Sequence, residues 1–137
     1  RSVLCAGAIE RPLAFPNNDR PGIMTAAAVR AYLNRWGVAP GREVAVFGNN
    51  DDAHRTARDL AAAGVDVVAM IDSRPDARAD VACPTYTGGQ VIATGGRMGL
   101  EQITFAHQGG QRSLRADCLA ISGGWNPTLH LTCHMNS

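Results

Sequence analysis

One stretch of the sequence has the residue types and spacing of a phosphate-binding turn. The apolar run Val44–Phe47 meets Gly48 and continues without a break into an Ala-rich helical pattern. A strand, a tight glycine turn and a helix in this order can hold a pyrophosphate against the N-terminal amides of the helix. The usual fingerprint reads G-x-G-x-x-G or G-x-G-x-x-A. Gly48 and Ala53 match its two ends, and Asn50 replaces the middle glycine.

The replaced glycine leaves two interpretations of this turn open. Asn50 tolerates the left-handed backbone conformation that a glycine would adopt, yet its side chain intrudes where a phosphate would lie. Asp51 or Asp52 is predicted to cap the following helix, and both bring negative charge to the position of an anion. The turn is therefore either a self-capped structural element or a dinucleotide site contacted by Gly48, Asn49, Asn50 and Asp51.

A second pair of candidate binding residues follows the next predicted strand. Asp72 stands at the C-terminal end of that strand, where dinucleotide-binding folds place an acid that binds a ribose hydroxyl. Arg74 would suit a 2′-phosphate at the same place. The alternative is an ordinary Asp-Ser-Arg-Pro turn, because such turns are common at strand ends without any ligand.

The hydrophobic pattern around the turn predicts an α/β fold with a central parallel sheet. Glu43–Phe47 and Asp66–Ile71 lack polar alternation, which is typical of parallel strands covered on both faces. The helix between them is predicted to run to about Ala63 and to stop at Gly64. A β–α–β unit of this kind implies a right-handed crossover that makes the two strands parallel neighbours.

An earlier helix and a later hairpin complete the predicted Rossmann-like domain. Ala26–Trp36 has helical spacing with Thr25 as N-cap, and Tyr32 and Trp36 are predicted to be core residues. Polar and apolar residues alternate along Gln102–His107, and the stretch Gln111–Arg115 returns after a Gly-Gly turn. This pattern predicts an antiparallel hairpin excursion. A buried strand is predicted over Ser2–Gly7 and a connector over Ala8–Pro21. One or two helical turns are predicted over Asp76–Ala82, and a third strand over Gln90–Thr94. A final strand is predicted over Asp117–Ser122 and a turn over Gly123–Pro127.

Composition and charge exclude several classes of function. The 137 residues fit one domain with 45% apolar and 18% charged residues, as in globular proteins. The net charge of +1 provides no long-range field for nucleic acid or an anionic membrane. No stretch of the sequence approaches the ~20 apolar residues of a membrane span. Because the chain begins with Arg1 and lacks an initiator Met, we interpret it as part of a longer chain.

The cysteines and histidines form no metal-binding or catalytic pattern. The four cysteines are scattered without a C-x-x-C pair, which predicts no disulfide framework, no zinc site and a reducing, cytoplasmic location. His130, Cys133 and His134 lack the second cluster that would complete four metal ligands. His54 and His107 have no nucleophile motif beside them, so each is predicted to be a solvated side chain. No catalytic residue is predicted.

The order of the predicted elements resembles the nicotinamide-binding domain of two-domain flavoproteins of the glutathione reductase and thioredoxin reductase type. Three segments carry this resemblance: Leu4–Pro12, Gly48–Ala53 and Asp117–Pro127. Further stretches narrow it to the alpha subunits of heterotetrameric sarcosine oxidases. They read A-I-E-R-P, N-N-D-R-P-G, V-R-A-Y-L-N-R, F-G-N-N-D-D-A and S-G-G-W-N-P, and they begin at Ala8, Asn17, Val29, Phe47 and Ser122.

This resemblance implies an internal, non-catalytic domain of a larger oxidoreductase subunit. Enzymes of this type demethylate sarcosine oxidatively to glycine and hydrogen peroxide and pass the one-carbon unit to tetrahydrofolate. In the family the beta subunit holds FAD, FMN lies at the alpha–beta boundary, the alpha subunit carries NAD, and gamma and delta subunits complete the complex. The implied divisions are residues 1–22 as the end of a preceding FAD- or NAD-type domain, 23–127 as the Rossmann-like domain and 128–137 as a tail.

The resemblance also places both flanks of the domain against the preceding domain, which is the better host for NAD. The flanking residues implied to contact NAD from outside are Ala6, Gly7, Gly123, Gly124, Trp125 and Asn126. The alternative for them is two glycine turns after buried strands.

Other identities stay open at this point. The chain could be a free-standing module with its own NAD(P)H. It could also be the NAD(P)-binding domain of a related FAD-dependent amine or opine dehydrogenase, or of a hydrogen cyanide synthase subunit. The apolar ends, Val3-Leu4 and Leu129–Met135, are expected to cause self-association only when truncation exposes them.

Overall fold

A computed structural model describes residues 3, 5–78 and 80–130 of the chain. None of the helices in these ranges is long and apolar enough to span a membrane. The elements are β1 (Ala8–Glu10), β2 (Ile23–Thr25), α1 (Ala26–Trp36), β3 (Glu43–Gly48), α2 (Asp51–Ala62), β4 (Asp66–Asp72), β5 (Thr85–Thr87), β6 (Gln90–Gly95), β7 (Gln102–His107), β8 (Gly110–Arg115), β9 (Cys118–Ser122) and β10 (Trp125–Pro127).

A five-stranded parallel sheet with the order β2-β9-β3-β4-β5 forms the centre of the fold. The predicted α/β class, and the predicted parallel pairing of β3 with β4 around α2, are confirmed. The chain leaves β3 for β4 on one side and returns as β9 on the other. β3 is therefore the topological switch point, at which open α/β sheets bind ligands beyond the carboxyl ends of their strands.

Two apolar clusters cover the opposite faces of this sheet. Val44 and Val46 of β3 pack in the cluster that includes the buried faces of α1 and α2. Ala45 and Phe47 pack in the other cluster, with residues of the antiparallel strands and of the early connector. Because both faces are covered, Val44–Phe47 are all buried against apolar residues, and the strand shows no polar alternation.

The antiparallel excursion has three strands, in the order β6-β7-β8. The predicted third strand, Gln90–Thr94, is β6 and belongs to this smaller sheet. The last strand of the parallel sheet is instead β5, which sequence analysis missed. The prediction of helical turns over Asp76–Ala82 is wrong, because none of the described residues of that segment is helical. Three strand residues are too few to give a period, and this explains the omission of β5.

The two flanks of the domain pair with each other. β1 is antiparallel to β10, so the predicted connector and the predicted final turn each contain a short strand. The strand predicted over Ser2–Gly7 is wrong for the described residues 3 and 5–7, which have no strand assignment. The division of the chain at residues 22 and 127 stays a prediction.

Helix α1 has the predicted limits but presents an unexpected face. The Thr25 side chain accepts a hydrogen bond from the N–H group of Ala28, and Gly37 ends the helix with a φ of +63°. The prediction that Tyr32 and Trp36 are core residues is wrong, because they are 45% and 61% exposed. The helix instead buries a neighbouring stripe of smaller residues, Ala26, Val29 and Leu33, against the sheet.

Candidate functional site

The carboxyl ends of three adjacent strands meet at the candidate site. Gly48 of β3 is in register with Ser122 of β9 on one side and with Asp72 of β4 on the other. The N–H group of Ser73 donates to the Gly48 carbonyl at 2.9 Å, and that of Asn49 donates to the Ser122 carbonyl at 3.2 Å. This edge of the sheet carries all the residues predicted at the turn and after the second strand: Gly48, Asn49, Asn50, Asp51, Asp72 and Arg74.

Asn50 caps helix α2, so the prediction that Asp51 or Asp52 does so is wrong. The Asn50 backbone is extended, with φ −155° and ψ 166°, and needs no left-handed conformation. Its Oδ1 atom accepts the N–H groups of Asp52 at 3.0 Å and Ala53 at 3.2 Å. Its Nδ2 group donates to the carbonyl and hydroxyl oxygens of Ser122, each at 3.1 Å. A short amide side chain on an extended residue reaches the first free amides of a helix, where a phosphate would otherwise bind.

The two aspartates beside the cap form ion pairs with arginines from other elements. Asp52 lies 3.0 Å from the Arg30 guanidinium on α1. Asp51 lies 2.8 Å from Arg74, which follows β4. Both carboxylates remain in the first turn of α2, where the helix dipole favours negative charge. Their negative charges disfavour the binding of a phosphate at this position.

Asp72, the predicted ribose-binding acid, is fully buried and bonded within the chain. Its Oδ1 atom accepts the backbone N–H of Arg74 at 2.8 Å and the Nε group at 3.2 Å, and its Oδ2 atom accepts Nη2 at 2.9 Å. Burial acts to raise the pKa of Asp72, but the hydrogen bonds from Arg74 and His54 outweigh it and hold the pKa below its ordinary value. Hydrogen bonds to Asp72 and Asp51 raise the pKa of Arg74.

His54 is buried, so the prediction of a solvated side chain is wrong. Only 3% of the residue is exposed. Its Nε2 atom lies 2.7 Å from Asp72 Oδ2, and its Nδ1 atom lies 3.2 Å from Asp80 Oδ1. Asp80 also pairs with Arg58. The ring therefore joins α2, the end of β4 and the following loop in one charged network.

A cavity of about 440 Å³ adjoins this network. Its lining includes three acids and three arginines, of which Arg58 pairs with Asp80 and Arg74 pairs with Asp51. Its volume is within the range of small-ligand sites. The residues that line it are Asp51, His54, Arg58, Arg74, Asp76, Ala77, Arg78 and Asp80.

The flanking residues predicted to contact NAD lie together at the β1–β10 ribbon. The Gly7 carbonyl accepts the N–H group of Thr128 at 2.9 Å. Arg11 exchanges backbone hydrogen bonds of 2.8 Å with Gly123 and Gly124. The rest of this set is Ala6, next to Gly7, with Trp125 and Asn126 in β10. Contact between these residues and NAD stays a prediction.

The residues set aside by sequence analysis provide no second site among those the structure describes. His107 is half-buried, with its ring 5.3 Å from that of Tyr86, so it is less solvated than predicted. No group of three potential metal ligands occurs in the described ranges. Burial raises the pKa of the free Cys118 thiol to about 12, which makes it unreactive. Of the three tail residues considered as metal ligands, Cys133 and His134 lie outside the described residues.

The Asn50 cap gives a direct stability prediction. Asn50→Ala removes the acceptor for two helix amides, so we expect the free energy of unfolding to fall by about 1–2 kcal/mol. Urea denaturation measures this change. The matched control is Asn49→Ala, which removes a side chain that accepts a hydrogen bond from Asn50 but caps no helix amide, and it should change the free energy by less than about 0.5 kcal/mol. Equal losses in the two variants would show that Asn50 is not the cap.

The fold is a Rossmann-like α/β domain of the kind found in thioredoxin reductases. The structure matches thioredoxin reductase from Lactococcus lactis with a TM-score of 0.70 and 15% identity, over 95% of this chain and 46% of that chain. It matches L-proline dehydrogenase from P. horikoshii with a TM-score of 0.67 and 25% identity, over 90% of this chain and 21% of that chain. No family model matches the chain.

Sequence comparison finds closer similarity than structural comparison does. The chain is 46% identical to sarcosine oxidase subunit alpha of Rhizobium meliloti (strain 1021) over 136 residues, which cover 98% of this chain and 14% of the relative. Nearly the whole chain is therefore homologous to one segment of the sarcosine oxidase alpha subunits. The chain spans 14–15% of the length of the curated relatives that it matches.

Proposed function

We propose that this chain is an internal domain of a sarcosine oxidase alpha subunit, and that its glycine turn holds no dinucleotide. One observation carries the proposal: Asn50 bonds the two helix amides at the phosphate position. A pyrophosphate would have to displace this side chain from Asp52, Ala53 and Ser122. It would also have to approach the carboxylates of Asp51 and Asp52, which lie in the same helical turn.

The ribose position supports the same proposal. In a working site the acid at the end of the second strand accepts hydrogen bonds from ribose hydroxyls. Both oxygens of Asp72 already accept hydrogen bonds from Arg74, and one of them also contacts His54. A ribose would therefore compete with charge-assisted hydrogen bonds at a buried carboxylate, which are about twice as strong as neutral ones.

The complete enzyme, in this proposal, oxidatively demethylates sarcosine to glycine, forms hydrogen peroxide and passes the one-carbon unit to tetrahydrofolate. FAD and FMN act elsewhere in the complex, and the preceding domain of the alpha subunit holds NAD. The present chain contributes no catalytic residue. Its partners are the rest of the alpha subunit and the beta, gamma and delta subunits.

The cavity beside Arg74 favours a second candidate function, a nicotinamide-binding domain of a related amine or opine dehydrogenase. Arg74 and Arg78 line this cavity and carry the charge that a ribose 2′-phosphate would bind. Three aspartates line the same cavity and oppose such a ligand. The two candidates differ in one measurable property, the affinity of this domain for NAD(P).

Titration with NAD, NADP and 2′,5′-ADP tests the proposal. We expect no heat of binding and no amide shift in residues 48–52, which corresponds to dissociation constants weaker than about 1 mM. The nucleotide 2′,5′-ADP carries the ribose 2′-phosphate and a single 5′-phosphate, so it probes the cavity without the full pyrophosphate or the nicotinamide half.

Micromolar binding of NAD or NADP that weakens in Arg74→Gln would reject the proposal and support the nicotinamide-binding alternative. Arg97→Gln is the matched control for the loss of one positive charge, because Arg97 is exposed and does not line the cavity. Binding of 2′,5′-ADP but not of NAD, with no amide shift in residues 48–52, would show that the cavity binds ligand while the turn stays closed.

A further inference from the structure

Helix α1 presents an aromatic surface formed by Tyr32, Trp36 and Val38. These side chains are 45%, 61% and 48% exposed, and they lie within seven residues of sequence. The two rings are 5.3 Å apart at an interplanar angle of 53°, so they contact each other and present one continuous apolar area. Single exposed apolar residues are normal in folded proteins, but a contiguous group marks an interaction site.

The helix end holds this surface in a fixed shape. Gly37 donates its N–H to the Leu33 carbonyl at 3.0 Å, and Val38 donates to the Tyr32 carbonyl at 3.2 Å. The first bond, with the positive φ of Gly37, is that of an αL helix cap, and the second bond holds the residue after the glycine against the end of the helix. A surface ordered in advance loses little conformational entropy when a partner binds it.

The aromatic surface lies far along the fold from the glycine turn. It lies at the C-terminal end of α1, from which the chain leads to Glu43 at the amino end of β3. Gly48 lies at the other end of the same strand. Six strand residues separate the two edges of the sheet, roughly 17–20 Å. Its occupant is therefore not a ligand of the turn. Trp and Tyr are the side chains that contribute most to the binding energy of protein interfaces.

We infer that the aromatic surface is covered by an apolar surface of another domain of the same alpha subunit. This inference rests on the proposed function. The matched relatives extend far beyond the region they share with this chain, which is 14–15% of their length. A domain joined through the same polypeptide has an effective local concentration in the millimolar range, so it covers an apolar surface more readily than a separate subunit or a second copy does.

Hydroxyl-radical footprinting tests the assignment. The 137-residue chain, the isolated full-length alpha subunit and the assembled enzyme are each oxidised with the same dosimeter peptide, and mass spectrometry gives the oxidation rate of Trp36. We expect this rate to fall severalfold between the short chain and the isolated alpha subunit, and to change little further on assembly. An unchanged rate in the alpha subunit, or protection that needs the other subunits, overturns the inference. Protection of the short chain that rises with its concentration would instead identify a second copy as the occupant.

A variant supplies an independent measurement. Trp36→Ser should leave the thermal midpoint of the 137-residue chain nearly unchanged, because the ring is mostly exposed there. The same change should lower the midpoint of the full-length alpha subunit, where the ring is covered. Equal effects in both would contradict the inference. Because NAD titration is a separate measurement, exposure of Trp36 together with a closed turn rejects this inference alone and leaves the proposed function standing.

Discussion

Replacing Asp72 by Ala is expected to lower the free energy of unfolding by about 3–5 kcal/mol, the range for removing one partner of a buried ion pair. Asp72 is fully buried, and its loss removes the partner of His54 Nε2 and leaves the Arg74 guanidinium with the exposed carboxylate of Asp51. Urea denaturation at neutral pH measures the change. The control is Asp76→Asn in the exposed part of the following loop, which should change the free energy by no more than about 0.5 kcal/mol.

The Asp72 carboxylate should also make the free energy of unfolding depend on pH. Its pKa in the folded protein is held below the ordinary value of 3.8, so below that pH the unfolded chain binds the proton more readily than the folded chain. The stabilisation is therefore complete above the unfolded pKa and is lost as the pH falls through the folded pKa. The difference in unfolding free energy between wild type and Asp72→Asn should shrink between about pH 5 and pH 2. A difference that stays constant over this range would show that the charge of Asp72 contributes nothing.

Gly48→Ala is expected to destabilise the chain by about 3 kcal/mol, near the upper end of the usual cost of overpacking. A Cβ atom on Gly48 would lie 2.3 Å from the Cβ of Ala53 and 3.3 Å from the Ser122 carbonyl oxygen. Ala53 is fully buried in the first turn of α2, so neither neighbour can move without shifting backbone. Thermal or urea denaturation measures the loss. Gly110→Ala is the control, because its nearest contact would be 3.8 Å from the His107 carbonyl.

A size exchange tests the cause of this loss. Ala53→Gly alone removes a buried methyl group and adds a helical glycine, at a cost of about 1 kcal/mol. In the double variant Gly48→Ala/Ala53→Gly the closest contact is removed. The double variant should therefore be more stable than the sum of the single losses by at least about 1 kcal/mol. Additive losses would mean that Gly48 is required for its backbone and not for the close approach of α2.

The expected losses explain why a turn that we propose holds no phosphate still begins with a glycine. In a nucleotide site the first glycine allows a tight turn, and the middle one leaves room for the pyrophosphate. Here the glycine at the first position allows α2 to pack on β3, because a Cβ atom there would clash with that of Ala53. The middle position has become a cap that bonds both the helix and Ser122. Each side chain at the turn thus has a structural role that requires no ligand.

The sequence was sufficient for helix α1 and the central strand β3, because their signals are local. The limits of α1, its Thr25 cap and its Gly37 stop depend on residues within one or two helical turns. The continuous apolar run of β3 likewise reports burial on both faces without reference to any partner strand. The family resemblance, which the comparisons bear out, came from short runs of adjacent residues.

The burial of His54 needed the fold. Asp72 is 18 residues further along the chain, and the two meet because the first turn of α2 and the end of β4 lie at the same edge of a parallel sheet. A sequence signal did exist, since His54 is three residues before Ala57 on the buried side of the helix. That signal identifies a face and not a partner, so it could not distinguish a solvated histidine from one bonded to two carboxylates.

The sequence by itself determined the class of fold, the family and the position of the glycine turn, because these are encoded by neighbouring residues. Only the tertiary structure decided which side chains fill that turn and which face of α1 remains exposed. Asn50 closes the turn through Ser122, 72 residues away, and Tyr32 and Trp36 are exposed because the sheet packs against the adjacent stripe of α1. Contacts over such distances in sequence are set by the order of strands, and that order leaves no local pattern.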